Sequence, residues 1–431
     1  MTMRGAAVLG IGAMVGAGIF ALLGQAGAVA GSATWLSFLL AGVVAALLGY
    51  SVAKLGARYP SGGGIITFLL EGFGPGHMTA ITSWLLYFAS IIVTSMVAVS
   101  FGSYGASLLA DAPPDSLWAH ALTTLVVLLV AAVNIAGATF IDKIQSWIVF
   151  VLLAVFAVFV VVTLAQMDPS LLAPSTYPPA ADIVSSVALT FFAFLGFAVI
   201  SFTGGDLPDP AKNLPRATYL ALAVTTGLYV LVSLGVFGTL TVQEVIDNGE
   251  TALAVAALPA LGQAGFAMMA VAALLATSSS VNANIYAAVG STAKLAQSGQ
   301  FPPVFGARAR VGSTRGLVIS CVLVLGLANL VDLSAIASLG SVVALGIFLI
   351  VSVAALRLRA QTGSNVLVVI TGIVATAVVL VVFSVQTARD APETFVGMVA
   401  ILALAVVLDL VWSSIRRRRT TAPPAPPAPA H

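Results

Sequence analysis

Twelve apolar segments, each close to the length that crosses a bilayer, constrain this chain more than any other feature. Hydrophobic residues make up 60% of its 431 positions and charged residues 7%. An apolar span of about 20 residues must satisfy its own backbone hydrogen bonds in lipid, and a helix does so. The sequence therefore predicts an all-α membrane protein with 12 transmembrane helices, over residues 6–30, 33–57, 78–110, 119–137, 145–166, 182–203, 215–240, 261–293, 316–331, 334–356, 365–387 and 394–414.

The distribution of charge orients these predicted spans. With the N-terminus in the cytoplasm, all but one of the 17 basic residues fall on the cytoplasmic side, and Arg389 is the exception. This matches the positive-inside rule, so we expect both termini in the cytoplasm and a bilayer as the partner. The net charge of +2 reflects this topology, and no nucleic-acid partner is expected. The single cysteine, Cys321, excludes an intramolecular disulfide.

Glycines interrupt the first apolar segment at Gly10, Gly12, Gly16 and Gly18. Each glycine costs about 1 kcal/mol relative to alanine inside a helix, so a cluster of four needs a reason. One reason is close packing, since small residues four apart let two helix backbones approach. The other is a helix that breaks in mid-membrane, which is tolerated only where the freed backbone groups are buried in protein or line a cavity.

The sixth apolar segment repeats this feature, because Gly196 interrupts it and Gly204 and Gly205 end it. If the chain consists of two five-span repeats, the first and sixth spans occupy matching positions in units of opposite orientation. Such paired interruptions indicate a transporter site at the bilayer midplane. A half-helix that begins there offers free N–H groups to a carboxylate, and one that ends there offers carbonyls to an ammonium group. The pair would hold a zwitterion without a charged side chain.

Four stretches match a known family in order and spacing along the chain. They are GAMVGAGIF at 12–20, ARYPSGGG at 57–64, DPAKNLPR at 209–216 and AKLAQSGQFPP at 293–303. With them, the chain resembles the amino acid–polyamine–organocation transporters (the APC superfamily) over roughly residues 5–415. It looks most like the ApcT-like broad-specificity prokaryotic amino acid transporters.

The resemblance implies the leucine-transporter fold, with discontinuous helices 1 and 6 in a prokaryotic cytoplasmic membrane. Residues 1–168 would form the first five-helix repeat and residues 169–360 the second, inverted one. Helices 11 and 12 would follow over 361–415. The basic and Pro/Ala-rich tail over 416–431 is expected to be disordered in the cytoplasm.

The family's substrate contacts carry over to the two interrupted segments. The α-carboxylate would bind backbone N–H groups of Val15, Gly16, Ala17, Gly18 and Ile19. The α-amine would bind carbonyls beside Gly196, namely those of Phe191, Phe192 and Leu195. Phe192 matches an aromatic residue that covers the substrate in the family. Packing against lipid or the core is the alternative for these phenylalanines.

The chain departs from its proton-coupled relatives at Leu152, where the family carries a lysine in the fifth span. A leucine cannot carry a proton, so lysine-type proton coupling is not expected. Hydroxyl and carbonyl oxygens suit a small cation, and by the resemblance a Na⁺ site would use Gly12, Val15, Ser278 and Ser279. Back-bonding of these serines within their own helix is the alternative. Na⁺ coupling, exchange and uniport stay open, and no other cofactor or metal is expected.

Together these features predict a secondary transporter that moves a neutral amino acid or related small amine by alternating access, and not an enzyme. A twelve-helix carrier of another class, such as a major-facilitator sugar or drug transporter, is the first alternative. A membrane-embedded enzyme would need intramembrane His, Asp or Cys clusters, which the sequence lacks. A channel would need a continuous polar stripe, which is not evident. The oligomeric state is left open, a monomer being one option.

Overall fold

Within the part of the chain that it describes, the computed structural model is built of helices. It describes residues 1–109, 112–113, 116–136, 141–297, 299–307 and 314–420, so the predicted tail beyond residue 420 lies outside it. Among the described residues, ten helices are long and apolar enough to cross a membrane, and two shorter apolar helices cover Met3–Gly16 and Arg315–Leu330. The predicted all-α membrane architecture is confirmed. The count of twelve spans stays a prediction, because Arg315–Leu330 is shorter than a full span.

The helices follow the predicted apolar segments closely. The first half of the chain contains α1 (Met3–Ala17), α2 (Ile19–Ala30), α3 (Thr34–Arg58), α4 (Ile65–Phe73), α5 (His77–Leu109), α6 (Leu117–Ala136), α7 (Ile141–Gln166), α8 (Ala180–Phe192) and α9 (Pro210–Phe237). The second contains α10 (Val242–Asn248), α11 (Ala252–Val255), α12 (Leu258–Gln297), α13 (Arg315–Leu330), α14 (Leu333–Arg357), α15 (Arg359–Thr362), α16 (Val366–Asp390) and α17 (Pro392–Thr420). A 3₁₀ segment, Leu195–Thr203, continues the chain after α8.

The segment between α9 and α12 folds into the short helices α10 and α11, which the sequence analysis did not predict. A capping box begins α10: Glu244 N–H donates to the Thr241 hydroxyl at 3.3 Å, and Thr241 N–H donates to the Glu244 carboxylate at 2.8 Å. These bonds stabilise the charged form of the carboxyl and hold the pKa of Glu244 below its usual value. Gly249, just after α10, lies directly against Gly24 of α2. The segment thus covers one side of α2.

Close contacts at glycines hold the bundle together. A Cβ atom at Gly42 of α3 would overlap Thr226 of α9, and one at Gly102 of α5 would overlap the Ala119 carbonyl of α6. In lipid the hydrophobic effect does not drive apolar helices together, so close van der Waals packing has to stabilise their association.

The last helix, α17, is tied to the rest of the bundle by polar contacts near its C-terminal end. Asp409 is buried and lies 2.5 Å from His77 Nδ1 at the start of α5. Trp412 Nε1 donates to the Gly299 carbonyl at 2.9 Å. A buried carboxylate needs such a partner, and the pair therefore fixes α17 against α5.

We predict that Gly102→Ala destabilises the protein while Gly326→Ala does not. The added methyl at position 102 meets the Ala119 backbone, whereas nothing lies within 4 Å at position 326 on α13. Overpacking costs about 1–3 kcal/mol, while alanine for glycine in an open helix position is neutral or favourable. Thermal unfolding of the two purified variants in detergent measures the difference. Equal melting temperatures would contradict the packing described for α5 and α6.

Candidate functional site

The first apolar segment consists of two helices that meet at Gly18. The Gly18 amide donates to the Met14 carbonyl at 2.8 Å, and Leu22 N–H donates to the Gly18 carbonyl at 3.0 Å. With φ −96° and ψ −71°, Gly18 departs by about 30° from ideal helical angles while staying in the right-handed region. The first amides of a helix have no partner within it, so α2 itself supplies no acceptor for the amides of residues 19–21.

The sixth apolar segment changes its hydrogen-bonding pattern at Ala193. Helix α8 ends at Phe192, after which Ala193 N–H donates to the Thr190 carbonyl at 3.1 Å and Phe194 N–H donates to the Phe191 carbonyl at 2.9 Å. The 3₁₀ segment then begins at Leu195. A 3₁₀ stretch inside a helix frequently marks a functional hinge.

The two interruptions lie against each other. A Cβ atom at Gly196 would lie 2.5 Å from Ala13 C and from Met14 N, so the 3₁₀ segment rests directly on the backbone of α1. A Cβ atom at Gly18 would lie 2.8 Å from both the Cβ and the carbonyl oxygen of Ala193. Backbone is therefore brought against backbone at both positions, which only glycine allows.

The four glycines of the first segment can now be assigned to close helix packing or to the helix interruption. Helix α1 runs without interruption through Gly10, Gly12 and Gly16, each of which packs against a neighbouring helix or the 3₁₀ segment. Gly18 alone lies where the chain leaves the helix. Close packing therefore explains three of the four glycines, and Gly18 combines packing with the change of direction.

Tyr229 of α9 joins the two interruptions and was not singled out from the sequence. Its hydroxyl lies 2.7 Å from the Met14 carbonyl oxygen and 3.2 Å from that of Ala193, and the side chain is fully buried. A Cβ atom at Gly18 would overlap this hydroxyl. The signal that could have identified Tyr229 is a phenol in the middle of an apolar span, since a buried tyrosine hydroxyl usually finds a partner.

The residues predicted to bind a carboxylate lie on both sides of this junction. Helical bonding within α1 uses the amides of three of them, Val15, Gly16 and Ala17. The Ala17 side chain lies outside the described residues. The Gly18 amide binds Met14, and the Ile19 amide begins α2. Of the five, Ile19 is therefore the one whose amide is placed at a helix N-terminus, and the assignment of the others stays a prediction.

The predicted amine-binding residues surround the second interruption. The Phe191 carbonyl already accepts a bond from Phe194 N–H, while Phe192 is buried with its ring against Gly340 of α14. Leu195 and Gly196 are half-buried at the start of the 3₁₀ segment. The Ala193 carbonyl, which was not predicted, points toward Tyr229 instead.

The predicted cation site is only partly brought together. Gly16 faces α12 at Ala276 and Ser280: a Cβ atom on it would lie 3.1 Å from the Ala276 carbonyl oxygen and 3.3 Å from Ser280 Cβ. The Ser278 hydroxyl donates to the Leu275 carbonyl within its own helix. Gly12 packs on Val149 of α7 rather than on a hydroxyl. Ser280, outside the predicted set, contacts α1 at Gly16, and a Na⁺ site at Gly12, Val15, Ser278 and Ser279 stays a prediction.

Leu152 lies on the face of α7 that is turned toward α1 and α2. Val149, three residues earlier, contacts Gly12, and the Phe156 ring, four residues later, lies 5.2 Å from the Phe20 ring. Residues at this spacing share one face of a helix. Leu152, which is buried, therefore falls at the level of the junction between α1 and α2.

Charged side chains are remote from the junction within the helices that form it. In α1, α2, α8 and the 3₁₀ segment the charged residues are Arg4 and Asp182, each in the first turn of its helix. Among the described residues, no group of three or more His, Cys, Asp or Glu side chains could hold a metal ion. Any charge on a ligand at the junction would have to be met by backbone groups and hydroxyls.

We predict that Tyr229→Phe weakens the junction whereas Tyr219→Phe, on the same helix, has little effect. The Met14 carbonyl would keep its bond from the Gly18 amide, whereas the Ala193 carbonyl would lose the Tyr229 donor, and an unsatisfied buried acceptor costs about 1–3 kcal/mol. Tyr219 is partly exposed, and its hydroxyl has no hydrogen bond to a described residue. Thermal unfolding and ligand binding of both variants measure the effect, and equal behaviour would show that the bridge is unimportant.

Comparison with known proteins gives relatives along most of the chain. A sequence profile described as Amino acid permease matches residues 2–408. The chain is 31% identical over 417 residues to the inner membrane transport protein YbaT of Escherichia coli, covering 96% of this chain and 95% of that protein. It is 28% identical over 373 residues to the methylthioribose transporter of Bacillus subtilis, covering 82% and 79%.

A third relative is the serine/threonine exchanger SteT of Bacillus subtilis, 25% identical over 306 residues, with 69% of this chain and 68% of that protein covered. All three are transport proteins by name, and the profile covers both interrupted segments. These findings confirm the resemblance to the APC superfamily and argue against the major-facilitator and enzyme alternatives. The chain belongs to the Amino acid permease family of membrane transporters.

Proposed function

We propose that this protein is a secondary transporter that moves a neutral amino acid or a related small amine across the prokaryotic cytoplasmic membrane by alternating access. The observation that carries the proposal is the contact between two interrupted helices, at Gly18 and Ala193, deep inside the bundle. Unwound backbone inside a membrane is tolerated only where it is buried in protein or lines a cavity. Family membership supports the same conclusion.

The substrate carboxylate would lie at the N-terminus of α2 and the amine at the carbonyls of the second interruption. Free amides and the partial positive charge of a helix N-terminus favour an anion at residues 19–21. The Ala193 carbonyl shares the single Tyr229 proton with Met14, so it can accept a further donor. Both charges of a zwitterion would then be matched without an ionised side chain.

The arrangement of the long helices supports the leucine-transporter fold. In that fold the spans of two five-helix repeats, here 1–168 and 169–360, pack as corresponding pairs about the broken helices. Helix α3 packs on α9, α5 packs on α12, and α1 packs on the 3₁₀ segment that follows α8. With 361–415 as helices 11 and 12, the chain would have twelve spans and cytoplasmic termini.

The proposed mechanism uses no titrating group in the fifth span, because Leu152 occupies the position of the family lysine. Leu152 shares a face of α7 with Val149 and Phe156, which contact Gly12 and Phe20, and by the resemblance proton-coupled relatives carry a lysine at this position. Burial of a leucine there leaves Na⁺ coupling, exchange or uniport as the modes to be distinguished.

We predict that small neutral amino acids stabilise the purified protein and are taken up by proteoliposomes, whereas arginine and putrescine are not. An unpaired second charge near the bilayer centre costs at least about 2.5–3.5 kcal/mol. A ligand at 100 times its Kd raises stability by about 2.7 kcal/mol, which a thermal-shift assay resolves. Protein-free liposomes are the control. A preference for arginine, putrescine or methylthioribose would overturn the proposed substrate class.

We predict that uptake by the wild type does not require a proton gradient and that Leu152→Lys makes it depend on pH. The new amine would be buried near the end of α1, where desolvation disfavours its charged form, so its charge would respond to pH. Uptake with pH and Na⁺ gradients imposed separately tests this. Leu152→Met, which preserves an apolar side chain of similar size, is the matched control. Strong acceleration of wild-type uptake by a proton gradient alone would contradict this interpretation.

A further inference from the structure

Gly340, in the interior of α14, makes room for the ring of Phe192. A Cβ atom at position 340 would overlap Phe192 Cζ and would lie 2.6 Å from Cε1 and 2.8 Å from Cε2. Both residues are buried. The outer end of the phenylalanine ring therefore rests directly on the α14 backbone, in a space that we refer to as the Gly340 recess.

Position 340 needs a glycine because any larger residue would occupy the space of the Phe192 ring. Gly340 lies within α14 and is not among the described glycines with a positive φ, so its backbone is helical. A glycine inside a helix costs about 1 kcal/mol relative to alanine, and at this position no turn or kink requires it. Gly346, on the same helix, has nothing within 4 Å and shows that α14 also contains glycines without such a contact.

Phe192 differs from the other phenylalanines around the second interruption in what holds it. The Phe191 ring packs edge-on against Phe348 at 5.9 Å, and the Phe194 ring packs against Tyr229 at 5.1 Å. Phe192 has no ring–ring contact with a described residue, and the end of its ring lies in the Gly340 recess. Helix α8 ends at Phe192, one residue before the Ala193 carbonyl that faces Tyr229.

We infer that Gly340 is a specificity-determining residue: it holds Phe192 away from the junction and thereby sets the largest substrate side chain that the site accepts. The inference rests on the proposed function and deepens it. A methyl group at position 340 displaces the ring. Because Phe192 is anchored at the end of α8, the displaced ring stays beside the junction and occupies space that a large substrate side chain would need.

The test is the selectivity of Gly340→Ala for small against large neutral amino acids. We expect KM to rise about tenfold or more for leucine and phenylalanine relative to alanine and glycine, the range that one methylene changes in an apolar pocket. Gly346→Ala is the matched control on the same helix and should leave the ratio unchanged. A general loss of stability would change all substrates together and would not move this ratio.

A second variant tests whether displacement of the Phe192 ring, and no other effect of Gly340→Ala, causes the change in selectivity. Leucine lacks the Cε and Cζ atoms that the methyl would displace, so Phe192→Leu combined with Gly340→Ala should restore uptake of large substrates. If Gly340→Ala does not fold, Phe192→Leu alone should still shift selectivity toward large side chains. An unchanged ratio in a wild type that does transport amino acids overturns the role of Gly340. Absence of any amino acid transport by the wild type would instead overturn the proposed function.

Discussion

The structure depends on how backbone groups are satisfied where two membrane helices are interrupted. Lipid offers no hydrogen bonds, so each freed carbonyl or amide needs a partner within the protein. Tyr229 meets part of this requirement, because one buried hydroxyl lies within hydrogen-bonding distance of the Met14 and Ala193 carbonyls. A single proton cannot fully satisfy two acceptors. The Ala193 carbonyl therefore keeps capacity to accept a further donor.

Absence of side chains is what allows the junction to form. Gly18 admits the Tyr229 hydroxyl and Ala193, Gly196 lets the 3₁₀ segment rest on α1, and Gly340 admits the Phe192 ring. At each of these three glycines a neighbouring helix or side chain lies so close that a Cβ atom would push it away. Packing and binding are thus not competing explanations for these glycines, since the same close approach positions the groups that would contact a ligand.

Much of the architecture could be predicted because apolar length and glycine spacing are local properties. The interrupted segments were located within a few residues, at Gly18 and Ala193. The individual site groups stay predictions, and the structure adds that Ser280 contacts α1 at Gly16 and that the amide of Ile19 begins α2. Which face of a helix meets its neighbour depends on crossing geometry, which the sequence of one helix does not contain.

From the sequence by itself came the all-α membrane class, the family and the expectation of two special spans, because hydrophobicity, charge bias and motif order are readable along one dimension. Only the tertiary structure decided that Tyr229 from a third helix joins the two interruptions and that Gly340 receives Phe192. These residues are separated by more than a hundred positions from some of their partners. Such pairings arise from the packing of distant helices, and no local pattern encodes them.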